Sequence, residues 1–294
     1  MCGDDVHVRT LTTVARAALG VIWSGSLRIH KIGQGLARAL DKAPKHAIKE
    51  VDRMLSEGLP VWEFFAFWVP FLVAARPEVI VAMDWTDFDD DGHTVIALSL
   101  ITRHGRATPL IWKTVRKDQL KDQRNAYEDE VLQRLKDVLP PGTKVTILAD
   151  RGFGDIALYE FLHTLGFDFV IRFRGTILVE DANGEQRQAK DWLPAGQRPR
   201  SLPDAKLTQD RQAVAKVICV HSAGMKEAWF LATSLGKKPA GDVVKLYGRR
   251  FTIEETFRDT KDNLFGMGMS STHGGQRRQH PQAVSALRLA NVVG

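Results

Sequence analysis

The hydrophobic pattern changes its period near Pro77, and this change constrains the fold more than any other feature of the sequence. From about residue 7 to 75, apolar side chains recur every three or four positions, which predicts helices. Beyond Pro77 the apolar residues come in short runs bounded by turn residues, which predicts strands. The predicted elements are strands at 79–85, 94–101 and 107–115, a helix at about 119–139, a strand at 145–150, a helix at 156–166 and a strand at 167–173. Three strands followed by alternating helix and strand predict a mixed α/β layer architecture.

The alternation of helix and strand stops at about residue 176. From there to about residue 235 we predict a mostly β insertion, with strands at 213–220 and 228–235 and a proline-rich linker around 194–203. After Pro239 the helical period returns and predicts one helix that continues to about Asn263. The predicted divisions are an N-terminal helical region at 1–76, a core at 77–175 and 236–270, the β insertion at 176–235, and a short C-terminal tail at 271–294.

The composition is that of an ordinary folded protein, with 44% hydrophobic and 26% charged residues. The net charge of +6 favours a polyanionic partner without proving one. Two cysteines, Cys2 and Cys219, fit neither a disulfide framework nor a CxxC metal site. The most apolar stretch, at 59–75, contains Glu63 and Pro70 and is shorter than the roughly 20 residues that cross a bilayer. We therefore expect a cytoplasmic protein without a membrane span.

Two aspartates stand out in the predicted strands. Asp84 interrupts the most apolar strand, where an unpaired carboxylate is costly, so we expect a strong partner for it. That partner is a metal ion, or else Asp84 forms an ordinary ion pair with arginine or faces solvent. Asp150 ends the strand at 145–150, and the carboxyl ends of strands are the usual ligand positions in α/β sheets. The alternative for Asp150 is that it caps the next helix.

The helix after the insertion carries the third acid, Glu254. Tyr247, Arg250, Glu254 and Lys261 are spaced three, four and seven positions apart, so they project from broadly one side of a single helix. A solvated charged face remains the alternative. Three carboxylates from two strands and one helix suit a hard divalent cation such as Mg²⁺. Two such ions support phosphoryl transfer.

Three segments follow one another in order along the chain: Asp84-Trp85-Thr86, Ala149-Asp150-Arg151, and the spaced set Tyr247-x2-Arg250-x3-Glu254-x6-Lys261 within the context FTIEETFRDTK. With a β insertion between the second and the third, they resemble the IS4 family of DDE transposases. The spaced set matches the YREK signature of that family in every interval. The similarity runs from about residue 30 to 270, which is most of the chain.

The resemblance implies an RNase H-like catalytic core interrupted by a β insertion. It implies that Asp84, Asp150 and Glu254 are the catalytic residues and hold two Mg²⁺ ions, for which Mn²⁺ can substitute. The chemistry implied is nicking at a transposon end followed by strand transfer into target DNA.

The resemblance also assigns DNA contacts to the helix. Tyr247, Arg250 and Lys261 are expected to contact phosphates near the transposon end. Phe251 stands where the family stacks a flipped base, and an aromatic ring suits a base removed from the duplex. Packing in the core is the alternative for Phe251.

The predicted helix at 44–56 is a candidate DNA-recognition helix. It presents Lys45, Lys49 and Arg53 opposite an apolar stripe, and such residues position phosphates and read bases. A solvated face remains the alternative, since acidic residues dilute the charge. The expected partners are transposon-end DNA and target DNA, with a homodimer in a synaptic complex. On DNA the protein is expected to be associated with the bacterial nucleoid.

Two other functions stay open. The chain stops at Gly294, sooner after the signature helix than in usual family members. This favours, as an alternative, a truncated transposase remnant that binds DNA without cutting it. The other alternative is a different RNase H-like nuclease.

Overall fold

The computed structural model describes residues 8–57, 61–88, 92–196, 198–208 and 210–262. The helices are α1 (Val8–Ser24), α2 (Ile29–Ala39), α3 (Pro44–Glu57), α4 (Val61–Val73), α5 (Arg124–Val138), α6 (Ile156–Leu165), α7 (Ala240–Gly248) and α8 (Phe251–Lys261). Among these residues, no helix is long and apolar enough to cross a membrane. The predicted C-terminal tail and most of the predicted turn at 89–92 lie outside the described residues.

The strands form one mixed sheet. They are β1 (Glu78–Phe88), β2 (His93–Ile101), β3 (Ala107–Arg116), β4 (Lys144–Ala149), β5 (Asp168–Phe173), β6 (Leu178–Glu180), β7 (Gln186–Gln188), β8 (Arg200–Leu207), β9 (Gln212–Val220) and β10 (Trp229–Thr233). Their order is β3-β2-β1-β4-β5-β10-β9-β8-β6-β7. The pairs β1–β4 and β4–β5 are parallel, whereas β10 runs antiparallel to both β5 and β9. The predicted mixed α/β class is confirmed.

The described chain divides into two compact units. Unit 1 contains the residues up to Ala74, the segment Trp85–Pro140, and the residues from Ile253 onward. Unit 2 contains Ala75–Asp84 and Pro141–Thr252. Of the four boundaries, one therefore falls inside β1 and one inside α8.

Unit 1 begins with three helices that share one apolar core. The buried residues are Ala17, Val21, Leu27, Ile32, Leu36, Ala37, Ala47, Val51, Met54 and Leu55. Two glycines allow the close approach of these helices. A Cβ added to Gly35 would lie 2.4 Å from the Gly20 oxygen on α1, and one added to Gly33 would lie 2.5 Å from the Cα of Ile48 on α3. The helices pack so closely that side chains larger than hydrogen do not fit at these points.

In unit 2, part of the proline-rich linker predicted around 194–203 is a strand. The segment from Arg200 is strand β8, although it contains Pro203, which pairs with Lys216 of β9. On its other side, β8 pairs with β6 only through Lys206 and Leu207. Pro203 therefore lies where the described residues provide no second strand, and a proline is tolerated at such an edge because its missing N–H breaks no ladder bond.

The predicted single helix after Pro239 is also wrong, because the chain turns between α7 and α8. Gly248 ends α7, and glycine is a poor helix former. The Arg250 N–H donates to the Tyr247 oxygen at 2.9 Å and the Thr252 N–H to the Arg249 oxygen at 3.2 Å. These bonds span three residues and form a tight turn. Tyr247 and Glu254 consequently belong to different helices.

A carboxylate at the end of β6 is held by three donors. The Glu180 carboxylate, only 6% exposed, accepts hydrogen bonds from Lys206 at 3.0 Å, Gln186 at 2.8 Å and Arg211 at 2.5 Å. The bonds from Lys206, Gln186 and Arg211 lower the pKa of Glu180 to about 2. A carboxyl group whose pKa is lower in the folded than in the unfolded chain stabilises the fold above its unfolded pKa. That contribution is lost as the pH falls through the folded value.

We predict that the stability lent by Glu180 disappears between about pH 4.5 and about pH 2. Urea unfolding at several pH values measures it. Glu180→Gln should unfold at lower urea at pH 6 than the wild type and should lose less stability on acidification. Glu160→Gln, at an exposed position on α6, is the matched control and should follow the wild type. If the stability of the wild type and of Glu180→Gln fell equally on acidification, the role assigned to Glu180 would be contradicted.

Candidate functional site

Asp84 and Asp150 lie side by side in unit 2. Strands β1 and β4 are parallel, and their last paired residues are Met83 and Ala149. Asp84 and Asp150 are the next residues on each chain, and side chains at matching positions of parallel neighbours point to the same face. Neighbouring strands are about 4.8 Å apart, so the two carboxylates are neighbours at the level where β4 ends. Asp84 is 16% exposed and Asp150 is half-buried.

The strong partner expected for Asp84 is Arg250. The Arg250 Nη1 donates to the Asp84 Oδ2 at 3.1 Å, and the arginine side chain is 5% exposed. The guanidinium also lies over two rings, at 5.0 Å from the Phe251 centroid and 5.9 Å from that of Tyr247. A half-buried carboxylate without such a cation would carry a large desolvation cost. The ion-pair alternative for Asp84 is therefore realised, and its partner is the arginine of the spaced set.

Asp150 has a capping role as well. Its Oδ1 accepts a hydrogen bond from the Gly152 N–H at 2.7 Å, at the start of the short 3-10 turn Arg151–Phe153. Asp150 therefore does have the capping role given above as its alternative, but it caps this 3-10 turn, whereas the next α-helix, α6, is capped by Asp155. The cap engages one carboxylate oxygen and fixes the side chain at the edge of the sheet.

Tyr247 is fully buried on α7 and packs edge-on against Trp229, with ring centroids 5.0 Å apart. Burial raises the pKa of Tyr247 to about 12, an effect that the guanidinium groups of Arg250 and Arg172 oppose and that the Asp150 carboxylate adds to. Asp150, Arg172 and Arg250 therefore all act on the tyrosine hydroxyl. Since Tyr247 has no exposed surface in this structure, its contact with a phosphate stays a prediction.

Arg172 is a site residue that the sequence analysis missed. On β5, Ile171 pairs with Ala149, so Arg172 stands level with Asp150. The Arg172 Nη2 lies 2.9 Å from the Glu227 carboxylate and 3.2 Å from the Ala228 oxygen, and the side chain is 13% exposed. Its hydrogen bond lowers the pKa of Glu227. The signal was available, because an arginine in the apolar strand FDFVIRF is as unusual as Asp84 in VIVAMDW.

The acid and the lysine on α8 belong to unit 1, where both Glu254 and Lys261 are exposed. The opposite face of this helix is anchored to the start of β3. The Thr256 hydroxyl accepts from the Ala107 N–H at 2.9 Å, and Asp259 pairs with Arg106 at 2.5 Å. These contacts hold the helix so that its Glu254 face is left toward solvent.

The carboxylates of Asp84 and Asp150 are ligands of the type that a divalent metal ion prefers. Two carboxylates at adjacent positions provide the hard oxygen ligands that Mg²⁺ and Mn²⁺ prefer, so Asp84 and Asp150 fit such an ion as a pair. Within the ranges that the structure describes, no group of three or more His, Cys, Asp or Glu side chains is placed to hold a metal. The structure brings the two aspartates together, and Glu254 as third ligand stays a prediction.

Phe251 is 40% exposed, with its ring 5.9 Å from that of Trp229. It thus contributes to packing beneath Arg250 and also reaches solvent, so base stacking and core packing both remain open for it.

The predicted recognition helix presents a basic surface in unit 1. On α3, Lys45, Lys49 and Arg53 are exposed, while Ala47 and Val51 between them are buried in the bundle core. Glu50, which dilutes the charge in the sequence, pairs with Arg16 of α1 at 3.1 Å. Its charge is therefore balanced within the bundle.

The strand order β3-β2-β1-β4-β5, with an aspartate on β1 and another directly after β4, defines an RNase H-like core. The family model described as "Transposase DDE domain" matches residues 76–283. The chain belongs to this family of DDE transposases. A comparison with curated proteins gives no match.

Proposed function

We propose that this chain is a DNA transposase of the IS4 type, which nicks the end of an insertion sequence and transfers the freed strand into target DNA. The observation that carries the proposal is the pair of carboxylates, Asp84 and Asp150, on adjacent parallel strands at the carboxyl edge of the sheet. Membership of the transposase family supports the same reaction class.

Asp84, Asp150 and Glu254 are proposed as the ligands of two Mg²⁺ ions, which Mn²⁺ can replace. When bound, such ions activate the attacking oxygen and stabilise the leaving oxygen in phosphoryl transfer. The chain itself orients the ligands: the Gly152 N–H fixes Asp150, and Arg250 holds Asp84. The anchoring of α8 through Thr256 supports a fixed position for Glu254 within its own unit.

Arg250, Lys261 and Tyr247 are proposed to contact the DNA backbone near the reacting phosphate, and Phe251 to stack on a flipped base. Exposure supports this role for Lys261 and Phe251. A guanidinium binds phosphate through two parallel hydrogen bonds, and this geometry supports a contact of Arg250 with the DNA backbone. Tyr247 has to become exposed to contact a phosphate.

The N-terminal helices are proposed to read the transposon end. Helices α2 and α3 are joined by four residues and pack through a shared core, which is the arrangement of a helix-turn-helix. Lys45, Lys49 and Arg53 on the outer face of α3 would contact the duplex.

The partners proposed are transposon-end DNA and target DNA, bound by a homodimer in a synaptic complex. The proposed location is the bacterial cytoplasm, on the nucleoid. The family supports DNA as the substrate.

We predict that Asp150→Asn abolishes end cleavage. Asparagine keeps the cap on Gly152 but removes the charge, and loss of a metal ligand should cost more than the roughly 100-fold seen for groups that only support ligands. The assay uses purified protein, Mg²⁺ or Mn²⁺, and a DNA fragment with the element's terminal inverted repeats. Asp155→Asn is the matched control, because Asp155 caps α6 in the same way at 3.2 Å and should be dispensable.

Three outcomes separate the candidate functions. Cleavage at the ends that is lost in Asp150→Asn and kept in Asp155→Asn supports the transposase. Binding of the ends without cleavage by the wild-type protein identifies a DNA-binding remnant. Cleavage that depends on DNA structure and ignores the ends identifies another nuclease.

We predict that Lys49→Ala weakens binding to the transposon end and lowers its dependence on salt. One lost phosphate contact reduces the slope of log K against log salt by about 0.9. Fluorescence anisotropy at several salt concentrations measures the slope. Lys144→Ala, at a 76% exposed position outside the helical bundle, should leave it unchanged. If the slope fell equally in both variants, or fell in neither, α3 would be excluded from the DNA interface.

A further inference from the structure

Helix α4 has apolar side chains on two opposite faces. Its buried residues are Val61, Phe65, Val69 and Val73, which lie four positions apart and so line one face. Phe65 packs edge-on against the buried ring of Trp112 on β3, with ring centroids 4.8 Å apart. This face attaches the helix to the core of unit 1.

The opposite face of α4 carries a stripe of exposed aromatic rings. Phe67 is 48% exposed and Phe71 is 76% exposed, and they lie one turn apart on the side away from the buried face. Trp68 stacks on Phe71, with ring centroids 6.4 Å apart, and its indole N–H donates to the Pro109 oxygen at 2.9 Å. These contacts hold the stripe in place. A helix that is apolar on all sides is normally buried on all sides, so the stripe indicates a docking surface.

The size of this stripe decides between its candidate occupants. A phenylalanine side chain buries about 150–250 Å², so two rings at these exposures offer roughly 200–300 Å². A stable complex with another molecule usually buries about 800 Å² on each partner. The stripe is therefore too small to hold a separate protein. A segment of the same chain binds without the cost of association and at a high effective concentration.

We propose that residues 283–293 of the same chain occupy the stripe. Their sequence is AVSALRLANVV, in which all residues except Ser285, Arg288 and Asn291 are apolar. The spacing of three places these polar residues on one side of a helix and leaves the other side apolar. A short amphipathic segment of this kind becomes a stable helix when its apolar side packs on another apolar surface. The aromatic stripe of α4 provides such a surface.

The length of the connection and the charges fit this occupant. The described chain ends at Asp262, in the same compact unit as α4. The twenty residues 263–282 span roughly 65 Å when extended, about twice the diameter of a small domain. Arg288 is the only charged residue of the segment, and Glu63, exposed one turn before Phe67, is the only charged residue of α4. The two charges have opposite signs and attract each other.

Hydrogen exchange followed by mass spectrometry tests this docking in the full chain. Amides in 283–293 should exchange about tenfold more slowly than in a synthetic peptide of the same sequence. In Phe71→Ser the exchange rate should rise to that of the peptide, because the stripe loses its most exposed ring. Ile22→Ser is the matched control. Ile22 is also an exposed apolar residue of unit 1, at 72%, and its loss should leave the exchange rate unchanged.

A change in the segment itself gives a second test that leaves α4 intact. Leu287→Ser should raise the exchange rate of 283–293 to that of a peptide carrying the same change, because Leu287 lies on the apolar side. Ser285→Ala, on the polar side, should keep the slow exchange. If Phe71→Ser does not fold by circular dichroism, Leu287→Ser decides the test.

Two results would overturn the proposal. One is exchange at the peptide rate in the wild-type chain, or slow exchange that persists in Leu287→Ser or in a folded Phe71→Ser. The other is slow exchange that appears only as the protein concentration rises, together with a dimer in analytical ultracentrifugation that Phe71→Ser dissociates. That second result would identify another copy of the chain as the occupant.

Discussion

Asp84 lies on β1 and Asp150 directly follows the parallel strand β4 at the same level, so the mutual repulsion of the two carboxylates has to be offset by positive charge or by hydrogen bonds. Arg250 supplies the charge at Asp84, and the Gly152 N–H supplies the hydrogen bond at Asp150. The turn between α7 and α8 brings Arg250 to the edge of the sheet. The burial of that arginine in turn depends on the aromatic rings packed around it, those of Phe251 and Tyr247.

Much of the fold follows from local pattern. The change of period near Pro77 predicted the strands of the core. Each strand is either apolar throughout or alternates apolar and polar side chains between the two faces of the sheet. The pattern failed where tertiary context decides. The linker predicted around 194–203 is part of strand β8 from Arg200 onward, and among the described residues no strand pairs with β8 beside Pro203 on the side away from β9. One helix was predicted across Gly248 because the periodicity continues through it, whereas the backbone turns there.

Some features of the site could likewise be predicted from local pattern, and others could not. Asp84 and Asp150 were predicted because a lone acid in or after an apolar strand needs a reason. The pairing of Asp84 with Arg250 joins residues 166 positions apart, and no local pattern encodes such a contact. The family resemblance implies a DNA contact for this arginine, and the structure shows that it also pairs with a carboxylate. Arg172 carried the same signal as Asp84, but a strand arginine is more readily explained by a surface position.

The central claim is that Asp84 and Asp150 together bind a divalent metal ion. The most direct measurement is the anomalous scattering of manganese in crystals of the protein grown with Mn²⁺. The account predicts a manganese peak about 2.1 Å from an oxygen of Asp84 and from an oxygen of Asp150. Manganese bound elsewhere at saturating Mn²⁺, with no peak beside these two carboxylates, would contradict it.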